Sequence, residues 1–336
     1  MVCPICNTEL YDGCERCPNC NEYVEVAFQK RKLNEAAMRT GSILSEIFKS
    51  KRFLTFCVIL SVVCGLYALA FFYEIPYSGF ISAALNYGLY IGFGIVSLVA
   101  AWKIYSSNGN ESKKDLFSKF NSFPKLMHIM SIIAFVVCII GAAVLLLGLL
   151  VVIGNADMIS SDVVPELKEM LLEMQANGEI VLDEGISMQY VFDIIDWASG
   201  FLAVIMIIVI VIMVCAIVVS YFNMKMYKSI TIFVQNLEST SVTYAYISPA
   251  KFSAKLIKVM GIINIIAAAP AALGAGIGAI APVMQGVLLI ITSNLFAEID
   301  ERLEANAKDV FEQRRILENM MAYYRSKETV TEDNNA

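Results

Sequence analysis

Residues 126–154 read LMHIMSIIAFVVCIIGAAVLLLGLLVVIG, a run without Asp, Glu, Lys or Arg whose single histidine, His128, lies in its first turn. A helix needs about 20 predominantly apolar residues to cross a hydrocarbon core roughly 30 Å thick, so this stretch reads as membrane-spanning. Its flanks give the direction of crossing. The preceding loop carries Lys103, Lys113, Lys114, Lys119 and Lys125 against Glu111 and Asp115. The following loop holds Asp157, Asp162, Glu166, Glu169, Glu173, Glu179, Asp183, Glu184, Asp193 and Asp196 against one base, Lys168. Lysines near span ends stay on the cytoplasmic side, which assigns residues 154–196 to the extracytoplasmic side and both termini to the cytoplasm.

Composition agrees with a cell-membrane, multi-pass class. Hydrophobic residues make up 58% and charged residues 17% of the chain, against about 45–50% and about 25% in soluble domains. No cleavable signal is expected, because the first apolar run of membrane length begins near Phe53, after a polar, cysteine-bearing segment. Apolar runs at about 53–73, 80–105, 126–153, 197–222, 256–273 and 279–297 predict an all-α polytopic membrane protein, with six transmembrane helices in three hairpins over 53–297. Glu74-Ile75-Pro76-Tyr77-Ser78-Gly79 reads as the first outer turn. Gly88 and Gly92 have the GxxxG spacing that admits a close helix neighbour, and Asn86 is expected to bond to a neighbouring helix.

In the acidic loop a helix is expected with Ser161 or Asp162 as its cap and Pro165 in its first turn, with Leu167, Met170, Leu171 and Met174 on one face and Asn177-Gly178 as its stop. A second helix from Ser187 is expected to run unbroken into the fourth span. Asp193 and Asp196 share a helix face, as acids at an outer helix start do without any ligand.

Five of the nine cysteines fall in the first twenty residues, and none lies in the acidic loop. Spaced cysteines in a reducing compartment read as metal ligands. Cys3-Pro4-Ile5-Cys6 and Cys17-Pro18-Asn19-Cys20 are two Cys-Pro-x-Cys knuckles that can bring four thiolates, Cys3, Cys6, Cys17 and Cys20, to one structural Zn²⁺. Cys14-x-x-Cys17 is a second pairing, which lacks the knuckle proline and leaves Cys20 unused. The segment resembles the small zinc ribbons found at the amino ends of many bacterial multi-pass membrane proteins, over about residues 1–22 only. It departs from them at Asn7 and Asn21, where glycine usually follows each knuckle, and at Cys14. The resemblance implies a zinc-dependent contact module and no particular activity.

Residues 23–52 form a basic cytosolic linker, in which Leu33, Ala37, Ile43, Leu44, Ile47 and Phe48 recur at roughly helical spacing. Two readings stand: an amphipathic helix along the lipid surface, or a flank that holds the first span in place. Residues 223–258 read as a second basic inner loop. Over 298–326 an amphipathic cytosolic helix carries Leu303, Val310, Leu317 and Tyr324 seven apart, with Asn306 and Gln313 at intervening core sites. It serves either a homo-oligomer or packing under the chain's own bundle. Residues 327–336 read as a disordered tail.

No HExxH, GxSxG, Walker loop or dinucleotide fingerprint occurs, so no catalytic or cofactor-binding residue is assigned and an enzyme is not expected. All six spans lack a central charge, which argues against ion-coupled transport. No wide basic face accompanies the ribbon, so nucleic acid is not expected as a partner. The expected partners are the lipid bilayer and a cytosolic protein that contacts the ribbon, with the bundle as anchor, scaffold or sensor. The alternative is a small-solute channel or carrier, in which Asn264, Pro270, the glycine run 274–278, Pro282 and Gln285 form a broken, polar-lined element rather than a plain hairpin.

Overall fold

The computed structural model describes residues 1–107, 113–154, 164–177, 187–243, 246–274 and 277–333. Among these residues the chain is helical, apart from turns and two isolated antiparallel bridges, Val2 with Glu9 and Arg16 with Tyr23. Met1–His128 with Lys225–Ala336 form one compact body, and Ile129–Met224 form a second.

In the first body α1 covers Val24–Phe48 and α2 covers Lys51–Ala83, with the Ser50 side chain accepting from the Phe53 amide at 3.2 Å as the cap of α2. Within α2, Gly79 has φ 81 and ψ 161, outside the helical region. That backbone is readily open only to glycine, and there the chain reverses. A π-helical turn, Ala84–Gly88, leads into α3, Leu89–Ser106. The two arms lie antiparallel: Trp102 Nε1 donates to Ser61 Oγ at 3.2 Å, Tyr67 stacks on Tyr90 at 5.7 Å, and Asn86 Nδ2 donates to Glu74 Oε1 at 2.7 Å. The turn expected at 74–79 thus falls on its last residue, and Asn86 bonds across the hairpin. Close approach falls elsewhere than Gly88 and Gly92: a Cβ on Gly94 would lie 3.1 Å from Cys64 Sγ, whereas neither of the other two glycines has a neighbouring helix within 4 Å among the described residues.

The lysine-rich loop contains α4, Lys113–Phe120, which buries Leu116, Phe117 and Phe120. Phe117 meets Phe48 at 5.7 Å and Phe120 meets Phe56 at 5.8 Å. α5, Ser122–Gly154, contains the long apolar run. In the second body α6 spans Val164–Ala176, as expected from Pro165 and Asn177. The cap expected at Ser161 or Asp162, and Gly178, lie outside the described residues. Within this body α5 and α7 (Met188–Thr243) run side by side, with Cys138 Sγ 3.5 Å from Ser220 Oγ and Phe135 5.9 Å from Tyr221. Ser187 Oγ accepts from the Tyr190 amide at 3.2 Å, capping α7.

The inner loop read over 223–258 is corrected by the structure, because α7 continues to Thr243. At 1.5 Å per residue its 56 residues extend about 85 Å. Met226, Tyr227, Ile230, Phe233, Val234 and Leu237 are buried at helical spacing, and no proline or glycine interrupts them. The apolar stripe therefore outlasts the apolar composition.

α8, Ala254–Gly274, lies antiparallel to α9, Ile277–Asp333. Ser293 Oγ donates to the Ala254 carbonyl at 2.6 Å. Among the described residues, four runs, Lys51–Ser106, Lys113–Gly148, Ile208–Thr240 and Ile280–Lys327, are long and apolar enough to cross a membrane. The first of them contains the reversal at Gly79.

The far half of α9 is packed against α1. Ile299, Leu303 and Leu317 are buried there, facing a stripe on α1 that includes Ala36, Thr40, Leu44 and Ile47. The two polar core sites have partners: Asn306 Nδ2 donates to the Ala36 carbonyl at 3.2 Å and to Thr40 Oγ1 at 2.9 Å, and Gln29 Nε2 donates to Gln313 Oε1 at 2.7 Å. Outside that seam, Arg39 pairs with Asp309 at 3.3 Å, Arg302 with Glu46 at 3.0 Å and Arg52 with Glu298 at 2.5 Å. α9 also runs through the stretch read as a tail, as far as Asp333. Polar composition hid this helix end, along which Lys327 pairs with Glu15 at 3.2 Å.

Candidate metal centre

Two short loops of the same design carry the cysteines. In the first, the Cys3 amide donates to the Thr8 carbonyl and the Asn7 amide to the Cys3 carbonyl, both at 2.9 Å. In the second, Cys17 donates to Glu22 and Asn21 to Cys17, also at 2.9 Å. Each loop leaves its second cysteine through a left-handed residue, Asn7 at φ 58 and Asn21 at φ 57. Apart from glycine, asparagine tolerates that conformation best. The two departures from the usual ribbon pattern therefore keep the backbone geometry that glycine would supply.

The loops face each other and bring Cys3, Cys6, Cys17 and Cys20 together, with their sulfurs all within 4.8 Å of one another. Cys6 Sγ is 3.4 Å from Cys17 Sγ, and Cys3 Sγ is 3.8 Å from Cys20 Sγ. A tetrahedral ion with Zn–S bonds of about 2.3 Å sets its sulfurs about 3.8 Å apart. The donor set and its spacing fit one ion of that kind. Four sulfurs complete a tetrahedral shell, so such an ion would hold structure and leave no position for substrate.

Cys14 stands apart from the four. Its Sγ donates to the Arg16 carbonyl at 2.7 Å, and the residue packs against the outside of the cluster. The structure thus groups the Cys-Pro-x-Cys pairs and leaves the Cys14-x-x-Cys17 pairing unused.

Residues beyond the cysteines shape the site, and spacing alone did not single them out. Asn19 Nδ2 donates to Thr8 Oγ1 at 3.0 Å, joining one loop to the other, and Thr8 Oγ1 lies 3.2 Å from Cys6 Sγ. Hydrogen bonds from the Thr8 side chain and then its backbone stabilise the thiolate and hold the Cys6 thiol down to about 6. The backbone at Glu22 acts in the same sense on Cys20, but burial and the three other thiols outweigh it and push Cys20 up to about 12.

The cluster is also the core of its small body. Cys3, Leu10 and Cys17 are buried together with Val24 and Ala27, the first turn of α1. Beyond this core, Tyr23 stacks on Tyr324 of α9 with ring centroids 3.9 Å apart, and the Arg16 guanidinium lies 4.0 Å from the centroid of the Tyr23 ring. Tyr324 donates to Glu25 at 2.8 Å.

The other residues singled out in the sequence lie away from this centre. Gln285 bridges the bundle: Tyr67 donates to its carbonyl oxygen, and its Nε2 donates to Tyr227 at 2.6 Å. Beside it is an apolar cavity of about 50 Å³, lined by Phe56, Leu60, Phe120, Ile230 and Leu288 among others. α9 continues through Pro282. Asp193 accepts from Gln189 at 3.1 Å, while the side chains of Asp196 and Pro270 lie outside the described residues.

No family model matches this chain, and none of the curated proteins or solved structures matches it.

Proposed function

We propose that this chain is a six-span membrane protein with both termini in the cytoplasm, whose zinc-holding amino-terminal ribbon is a protein-contact module and whose bundle anchors it. The observation that carries this reading is the closed set of four thiols at Cys3, Cys6, Cys17 and Cys20. Such a centre stabilises a surface rather than performing a reaction. The count of six crossings is supported by the Gly79 reversal within Lys51–Ser106 and by the antiparallel pair α8 and α9, each adding an arm to the four apolar runs. The orientation is supported by the lysines that flank the arms on one side and the acids of 155–196 on the other.

The contact role and a solute conduit differ in a measurable way. In liposomes the purified protein is expected to show no flux of small solutes, with or without residues 1–22. In cells, a cytosolic protein crosslinked to the intact chain is expected to disappear from the crosslinked set when 1–22 are deleted. Solute flux that persists after that deletion would favour the conduit.

A further inference from the structure

The amino-terminal cysteine loops and the carboxy-terminal end of α9 are joined by a compact set of contacts. Glu15, Arg16 and Tyr23 lie on the arms of the second loop, held by the Arg16–Tyr23 bridge and by the Val24 amide donating to the Glu15 carbonyl at 3.0 Å. Tyr23 stacks on Tyr324 at 3.9 Å, and Lys327 pairs with Glu15 at 3.2 Å. In the first turn of α1, Glu25 accepts from Tyr324 at 2.8 Å. The ribbon therefore grips the last turns of the helix that begins as an apolar arm at Ile277.

The grip depends on the ribbon's being folded, and the ribbon has little to fold around except its cysteines. Within residues 1–22 the buried apolar side chains are Cys3, Leu10 and Cys17. A body of this size without a larger core owes its fold to the ion that its thiolates bind. Glu15, Arg16 and Tyr23 stand on the arms of the loop that Cys17 and Cys20 close.

We infer that the ribbon is a metal-dependent clasp on the chain's own carboxy-terminal helix. Metal in the four-cysteine site holds the segment 318–327 of α9 against α1, and metal loss releases that segment while the rest of the α1–α9 seam stays paired. The inference rests on the metal-holding reading of the four cysteines. Its consequence is that the end of α9 reports the metal state of the cytoplasmic face and, when released, gives up the Tyr324–Tyr23 and Lys327–Glu15 contacts in favour of other partners.

Hydrogen exchange on the full-length protein in lipid nanodiscs tests this, with metal content measured on the same sample. After chelation of the metal, or in Cys17→Ser, amides over 318–327 are expected to exchange at least tenfold faster, and those over 299–310 to change less than twofold. Tyr324→Ala is expected to give the same acceleration over 318–327 while keeping a full complement of metal, which separates the clasp from ribbon folding. Unchanged protection of 318–327 in a demonstrably metal-free sample would overturn the clasp and leave the metal site standing. A protein that never binds metal, with four freely reactive thiols at 3, 6, 17 and 20, would instead overturn the reading beneath it.

Discussion

Gly261 and Gly286 bring α8 and α9 together backbone to backbone. A Cβ built on Gly261 would lie 2.8 Å from the Gly286 carbonyl oxygen, and one built on Gly286 would lie 2.7 Å from the Gly261 oxygen. In lipid, where apolar surface gains little by leaving its surroundings, such close approach is the main source of helix association. Gly261→Ala is expected to destabilise the hairpin by about 1–3 kcal/mol, the cost of forcing a side chain into a filled site. Gly286→Ala should act alike, and the double variant should cost less than the sum, because both strain one contact. Thermal unfolding in detergent measures all three.

Asn306 is buried and donates to Thr40 Oγ1 and to the Ala36 carbonyl. Asn306→Ala leaves those acceptors without that donor and is expected to cost about 1–3 kcal/mol. Asn306→Leu with Thr40→Val removes polar groups from both helices, and is expected to recover most of the loss. Unfolding curves of the single and paired variants check the difference.

Metal content separates the cysteines. One ion per chain is expected for the unaltered protein, and for Cys14→Ser, whose thiol donates to the Arg16 carbonyl and is not one of the four clustered sulfurs. Cys6→Ser or Cys17→Ser is expected to lower both stoichiometry and affinity. With cobalt(II) as a probe, the four-thiolate spectrum should persist in the first variant and change in the other two.

Tyr324 titrates with the clasp. Its hydrogen bond to Glu25 is the largest influence, and it raises the phenol from 10.0 to about 12. A folded value above the unfolded one means that the stabilisation is fully present below pH 10 and is lost as pH rises through about 12. The difference in tyrosinate absorbance between the unaltered protein and Tyr324→Phe should therefore show a step near 12. In Glu25→Gln that step should move toward 10, the ordinary value.

Much of this was legible because the membrane imposes simple rules. The charge-free run over 126–154, the lysine flanks and the Cys-Pro-x-Cys spacing each have one dominant physical reading. What composition hid was amphipathic helix outside the apolar runs. Tyr227, Ile230, Phe233 and Leu237 continue α7 beyond its apolar run, beside Lys225 and Lys228, and α4, with Leu116, Phe117 and Phe120, is too short to register as a period. The stripe on α9 was visible as Leu303, Val310 and Leu317. Its partner α1 was not, because only the fold sets Thr40 opposite Asn306 and Gln29 opposite Gln313. Around the cysteines, Thr8 and Asn19 carry no motif of their own, and their part is evident only from their distances to each other and to Cys6.

The sidedness of the chain underlies the metal site, the clasp and the contact role together. Labelling of intact cells with a membrane-impermeant reagent, directed to a tag before residue 1 or to a tag beside Glu173, tests it most directly. The tag beside Glu173 is expected to react in intact cells, and the amino-terminal tag only after permeabilisation. Reaction of the amino-terminal tag in intact cells, with the Glu173 tag protected until the membrane is opened, would contradict the cytoplasmic placement of the four cysteines.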